Sequence, residues 1–223
     1  MQQFDWQNET FILSAQRVMY WPKTRTLIAS DLHFGKTGHF RKHGIAVPQS
    51  IYKEDLHRLF DAIGFFNPER LLIVGDFMHS QANQELELVG KWRNDMPGLN
   101  IVLIKGNHDI LSAQWYIDHN IEVKPFLLEQ DLLFVHDLAD GNIQDRPVKA
   151  TVSGHLHPAV LIKAGARQQL RLPCFYFNAE ACILPAFSVF SGTCAVKPQK
   201  TDTIFAILPS PDGHLGAPTL LKL

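Results

Sequence analysis

Five short polar motifs are the part of this sequence best suited to chemistry: Asp31-x-His33, Gly75-Asp76, Gly106-Asn107-His108-Asp109, His136 and Gly154-His155-x-His157. They offer carboxylate, amide and imidazole donors, a set that holds divalent ions such as Mn²⁺, Fe²⁺ or Zn²⁺ in open, reactive coordination. The three cysteines, Cys174, Cys182 and Cys194, form an odd set without a C-x-x-C pair. That pattern argues against a zinc–thiolate site and a disulfide framework, and predicts buried free thiols. Taken singly, most of the motifs are ordinary, because Gly, Asn and Asp are turn formers and Asp-x-His is common at strand ends. Gly-His-x-His says more, since alternate residues of an extended segment put both imidazoles on one side. All five motifs follow an apolar, strand-like run, which independent turns would not do.

Those runs define the elements that must position the motifs. Short β-rich segments at Thr10 to Leu13, Val18 to Tyr20 and Thr26 to Ser30 lead to Asp31. Ser50 can cap a helix with the apolar face Tyr52, Leu56, Leu59, Phe60 and Ile63, and Gly64 is its expected stop. Leu71 to Val74 reads as a strand buried on both faces, ending at Gly75-Asp76. A second helix with Leu86, Val89 and Trp92 on one side is expected to stop near Pro97-Gly98, before the strand Ile101 to Ile104. A third helix is expected from Leu111 to His119, then strands Leu132 to Val135 and Ala150 to Ser153. From Val160 onward the texture is β: Val160 to Lys163, a turn at Ala164-Gly165, then Gln169 to Leu172, Phe175 to Phe177, Phe187 to Phe190 and Thr203 to Leu208. No low-complexity tract or linker divides the halves, so residues 1–223 read as a single α/β domain with a second sheet packed on the first. Open sheets of this kind gather ligands at the carboxyl ends of their strands, the edge where the motifs lie.

Composition sets wider bounds. Hydrophobic residues make up 46% and charged residues 19% of the 223, a globular balance rather than a disordered one. A formal net charge of -1 gives no general attraction to nucleic acid or anionic lipid, so any such affinity must come from a local patch. The start lacks a basic n-region and apolar h-region, and no segment runs about 18 apolar residues, which predicts a cytoplasmic protein.

With its five motifs in this order, the sequence resembles the calcineurin-like metallophosphoesterase superfamily. The resemblance implies a four-layer αββα sandwich of two mixed sheets flanked by helices. It also implies a binuclear phosphoesterase with two divalent ions, Mn²⁺ foremost and Fe²⁺ or Zn²⁺ as alternatives. Asp31, His33 and His157 would hold the first ion, Asn107, His136 and His155 the second, and Asp76 would bridge them, with Asp137 a competitor for the role of His136. His108 resembles the catalytic histidine of the family, near the leaving-group oxygen, with Asp109 placed to orient it. A closer likeness is to the bacterial branch of DNA-ligase-associated DNA-damage-response phosphoesterases or endonucleases. It rests on Asp31-Leu32-His33-Phe34-Gly35-Lys36, Gly75-Asp76-Phe77-Met78-His79-Ser80 and Leu172-Pro173-Cys174-Phe175, within residues 10 to 208. That branch implies a DNA substrate, a setting in DNA repair and functional association with a ligase and a helicase.

The chemistry so implied is hydrolysis of a phosphate ester. Two ions bind the phosphoryl oxygens and lower the pKa of a bridging water, so that hydroxide exists near neutral pH. For substrate binding the expectation falls on Lys36, Arg41 and Lys42, in a segment without acidic residues that interleaves Phe40 with cations, and on His79. The same segment also reads as a solvated loop, and His79 as an ordinary loop histidine. Three functions stay open on these residues: a phosphodiesterase or nuclease, a hydrolase of small phosphoesters such as nucleotides, and a non-catalytic interaction module of the same fold.

Overall fold

The computed structural model describes residues 1–36, 49–79, 84–141, 148–164, 168–209 and 218–223. Two mixed sheets pack face to face. The first runs in chain order: β1 (Gln2–Trp6), β2 (Glu9–Ser14), β3 (Val18–Trp21), β4 (Thr26–Ala29), β5 (Arg70–Val74), β6 (Asn100–Ile104) and β7 (Ile121–Lys124). Its pairings are antiparallel as far as β4 and parallel from β4 to β7. Gln7 and Asn8, both at positive φ, close the β1–β2 hairpin with the two-residue geometry that matches strand twist. Helices α1 (Gln49–Phe66) and α2 (Gln84–Asp95) make the parallel crossovers β4–β5 and β5–β6, and the short α3 (Ala113–Asp118) precedes β7.

The second sheet contains β8 (Leu127–Glu129), β9 (Leu132–Phe134), β10 (Ala150–Ser153), β11 (Pro158–Ala164), β12 (Gln168–Phe177), β13 (Ala181–Ile183), β14 (Cys194–Ala195), β15 (Thr203–Leu208) and β16 (Thr219–Lys222). Strand β10 lies between β9 and β13, parallel to both.

The central strands of the first sheet are apolar on both faces because each face has its own partner. Leu27 and Ala29, Leu71 and Ile73, Ile101 and Leu103 pack with Leu59 and Ile63 of α1 and Val89 and Trp92 of α2. The alternate residues Ile28, Leu72, Val74, Val102 and Ile104 enter a second core with Phe134, Phe175, Phe177 and Phe205 of the other sheet. All three described α-helices join the first of these cores. The second sheet also carries a smaller cluster around Val160, Leu172, Cys174 and Ile204.

Several expected boundaries move. Helix α1 passes through the exposed Gly64 and ends before Asn67, whose φ of 45° and following Pro68 make the stop. The apolar face expected for it holds at Leu59 and Ile63, while the side chains of Ser50 and Tyr52 lie outside the described residues. Helix α3 is shorter than Leu111 to His119, because Ser112 caps it by accepting from Trp115 N. The two segments around Pro173 form one continuous strand, β12. Phe187 to Phe190 is a bend, not a strand; its backbone docks on the end of β4 through Phe187 N to Ser30 O and Ser188 N to Asp31 O. Of the cysteines, Cys174 and Cys182 are buried as expected, whereas Cys194 is exposed. Gly165 of the expected turn lies outside the described residues. No helix of the described residues is long and apolar enough to cross a membrane.

Candidate metal centre

The chain leaves β4, β5 and β6 of one sheet and β9 and β10 of the other at the same end of the sandwich, and each exit carries one motif. Beyond the strands the backbones stay paired, with Asp31 N donating to Gly75 O, His33 N to Asp76 O and Gly154 N to His136 O. Asp31, His33, Asp76, His155 and His157 all adopt positive φ, between 50° and 61°. A side chain held in that region is strained, and persists only where the surroundings over-determine it.

Three glycines explain how the loops come so close. A Cβ on Gly75 would collide with the ring of His136, one on Gly106 with the carboxylate and backbone of Asp76, and one on Gly154 with Ser30 Oγ and Asp31 Oδ2. The glycines of Gly-Asp, Gly-Asn-His-Asp and Gly-His-x-His therefore serve as contact surfaces for a side chain of another motif.

Two clusters of donors result, one of Asp31, His33 and His157, the other of Asp76, His136 and His155. In the first, His157 Nε2 lies 3.0 Å from Asp31 Oδ1 and 3.4 Å from His33 Nε2. Asp31 Oδ1 is buried and accepts no well-aligned hydrogen bond, while Oδ2 accepts from His155 N at 3.0 Å. In the second, His136 Nε2 lies 3.2 Å from His155 Nδ1, 3.1 Å from Asn107 Oδ1 and 3.4 Å from Asp76 Oδ1. Asp76 faces both clusters, its Oδ2 being 3.9 Å from His33 Nε2.

Imidazole nitrogens facing one another at such distances share a cation or a proton, and the donor set fits divalent ions. Backbone carbonyls fix the tautomers for that purpose. Gly192 O accepts from His157 Nδ1 and Val74 O from His136 Nδ1, which turns each Nε2 inward.

The electrostatics follow from burial. Burial, with the charge of Lys36, pushes the His33 imidazole down to about 3, so it stays neutral and its lone pair is available. Burial opposes charge on His136 as well, but hydrogen bonding to Asp76 and the Asp76 and Asp31 charges prevail, raising it to about 9. Asp76 is itself buried, yet His136 and the N–H of His108 hold it below the usual carboxylate range.

The remaining predicted residues divide. His108 N donates to Asp76 Oδ1 at 2.9 Å, and its half-exposed ring stands with Nε2 4.0 Å from Asp76 Oδ2 and 4.3 Å, centroid to centroid, from the ring of His79. Asp109 was expected behind His108, but its oxygens go elsewhere. Oδ1 accepts from Phe77 N and Met78 N, and Oδ2 from Gly106 N. It staples two motif loops together, and burial raises its carboxyl to about 6 despite those donors. Asp137 is half-buried, with Oδ2 3.6 Å from His155 Nε2, so His136 takes the inner position. Half-buried Lys36 feels the charges of Asp76 and Asp31, whereas Arg41 and Lys42 lie outside the described residues.

Sequence reasoning missed Ser30, whose Oγ is 2.6 Å from both Asp31 Oδ2 and Val74 O, and the carbonyls of Val74 and Gly192. A backbone acceptor has no side-chain signature, so only the fold could reveal the last two.

Comparison with known proteins agrees with this geometry. The family model of the calcineurin-like phosphoesterases matches residues 24–172, more than half of the chain. The crystal structure of nuclease MPE from Pseudomonas putida is similar with a TM-score of 0.76 and 29% identity, over 92% of this chain and 96% of that one. Yfce, a phosphoesterase from E. coli, is matched with a TM-score of 0.41 and 16% identity, over 87% of this chain and 97% of that one. No curated protein sequence matches the chain.

Proposed function

The chain belongs to the calcineurin-like phosphoesterase family and is a metal-dependent phosphoester hydrolase, and from that premise we propose that it is a binuclear phosphodiesterase that cleaves nucleic acid. The observation that carries the binuclear reading is the position of Asp76, with one oxygen toward His136 and the other toward His33. On this reading Asp31, His33 and His157 would hold one ion, Asn107, His136 and His155 the other, and Asp76 would serve both. The ions are Mn²⁺, or Fe²⁺ or Zn²⁺ in its place, given a donor set of oxygen and imidazole without thiolate. When bound, such a pair neutralises the phosphoryl oxygens and lowers the pKa of an attacking water.

The protein's own groups do the rest. His108 stands at the open side of the site, and its imidazole protonates the leaving oxygen as the new P–O bond forms in line and the old one breaks. Asp109 acts as a positioning residue, holding the Gly106-to-His108 turn against the Phe77-Met78 backbone. His79, beside His108, and Lys36 meet the non-bridging oxygens.

The nuclease reading is supported by similarity to the Pseudomonas putida nuclease over nearly the whole of both chains. The direct test offers the Mn²⁺-loaded protein bis(p-nitrophenyl) phosphate, p-nitrophenyl phosphate, and single-stranded and nicked DNA. Salt-sensitive cleavage of DNA is expected, and activity confined to the small esters would make the chain a small-phosphoester hydrolase. His108→Ala is expected to keep its metal and lose about 10²–10⁴ in kcat. Loss of the metal in that variant would overturn the division of roles.

A further inference from the structure

Beside the second cluster lies a cavity of about 610 Å³ that the mechanism above does not use. Asn107, His136 and His155 line it together with Lys105, Lys124 and Phe126. Its size falls within the range of small-ligand sites, roughly 300–1,000 Å³, and exceeds what a phosphoryl group alone needs.

The position of Phe126 follows from topology. Strand β7 belongs to the first sheet and β8 to the second, so the Pro125-Phe126 link is where the chain crosses between them. The half-buried Phe126 ring therefore sits at the seam that leads to the metal centre. Lys105 N donates to Lys124 O at 2.8 Å, which pins the exit of β6, and with it Asn107, to the end of β7. Val123, Pro125 and Val135 extend the apolar surface.

The cavity carries both signs of charge. The two lysines lie at neighbouring strand ends, with Lys124 paired to Glu122 at 3.0 Å, so among the described lining residues Lys105 is the cation left for a phosphate. Asp137, 3.6 Å from His155, and Asp140 also line the cavity, and near them a phosphate is repelled and the amino edge of a base is accepted.

We propose that this cavity is a subsite for one unpaired nucleotide flanking the scissile phosphate, with its base against Phe126 and its own phosphate at Lys105. This rests on the nucleic-acid reading above and adds that the strand is single at the site, because a paired base could not turn its face to Phe126.

The test compares the Mn²⁺-loaded wild type with Phe126→Ala, Phe126→Trp and Lys105→Ala on a labelled single-stranded oligonucleotide and on bis(p-nitrophenyl) phosphate. Phe126→Ala is expected to raise KM for the oligonucleotide about tenfold, and its loss there should exceed its loss on the small ester at least fivefold or so. Phe126→Trp restores the oligonucleotide KM, and Lys105→Ala flattens the dependence of log(kcat/KM) on log[salt] by about one phosphate contact. Equal losses on both substrates, or an unchanged oligonucleotide KM, would remove the subsite while leaving the nuclease standing. A wild type that hydrolyses the small ester and leaves the oligonucleotide intact would remove the nucleic-acid reading itself, and the subsite with it.

Discussion

The two donor clusters differ less in chemistry than in what lies behind them. Asp31 and His33 are 0% and 4% exposed, and the bend that carries Phe187 and Ser188 closes over the backbone of Ser30 and Asp31. That bend is held from below. Arg17 donates to Ala186 O and Ser188 O, and Arg58 donates to Phe187 O while lying 4.3 Å over the Phe187 ring. Asp55 pairs with Arg58 at 2.8 Å. The same segment continues to Gly192, whose carbonyl orients His157. Around the second cluster the described residues supply no such backing: Asn107 and His155 are exposed and open onto the cavity. A more buried site favours retention of an ion, and a more exposed one favours exchange and access of substrate. If both clusters hold ions as proposed, the first is expected to keep its ion and the second to exchange it.

The sharpest way to break this asymmetry is to remove the residue common to both halves. Asp76→Ala is expected to lower kcat/KM by more than about 100-fold and to weaken both ions together. If metal analysis finds that only one is affected, Asp76 is not shared. Next in size is the contrast between His33→Ala and His155→Ala. Both lose activity, but added Mn²⁺ should restore the His155 variant and not the His33 variant, as titration of activity against metal will read. Equal rescue would mean that the enclosed and open sites hold their ions alike. Arg58→Ala tests the backing itself. It leaves the Asp55 carboxylate buried without its partner, a loss of about 3 kcal/mol of stability, and weakens the first ion more than the second.

The smallest effect concerns pH. In metal-free protein His136 is raised to about 9 from 6.5, so its bond to Asp76 stabilises the fold fully below pH 6.5 and is lost as pH rises through about 9. The Tm of EDTA-treated protein is therefore expected to fall across that window, whereas loaded protein, in which His136 is a neutral ligand, should not follow it. A flat apo profile would mean that His136 and Asp76 are not coupled.

The motif edge was legible in the sequence because each motif is local. A short apolar run such as Leu71 to Val74, followed at once by Gly75-Asp76, states both the strand and what hangs from its end. The chain order of those motifs carries the resemblance, and the resemblance implies a ligand set. What resisted reading depends on contacts distant in sequence. The bend at Phe187 to Phe190 carries the apolar pattern of a strand, but Arg17 and Arg58, more than a hundred residues away, hold its carbonyls. By the resemblance Asp109 is an aide to His108, yet its partners Phe77 and Met78 come from another motif loop. Gly64 looked like a helix stop, although an exposed glycine costs a helix only about 1 kcal/mol, less than the packing of Leu59 and Ile63 supplies.

The central claim is a pair of ions shared through Asp76, and electron paramagnetic resonance of Mn²⁺-reconstituted protein addresses it most directly. Two Mn²⁺ bound per chain with an exchange-coupled spectrum, replaced by isolated Mn²⁺ signals in Asp76→Ala, is the predicted result. A fully active wild type carrying one uncoupled Mn²⁺ would contradict it.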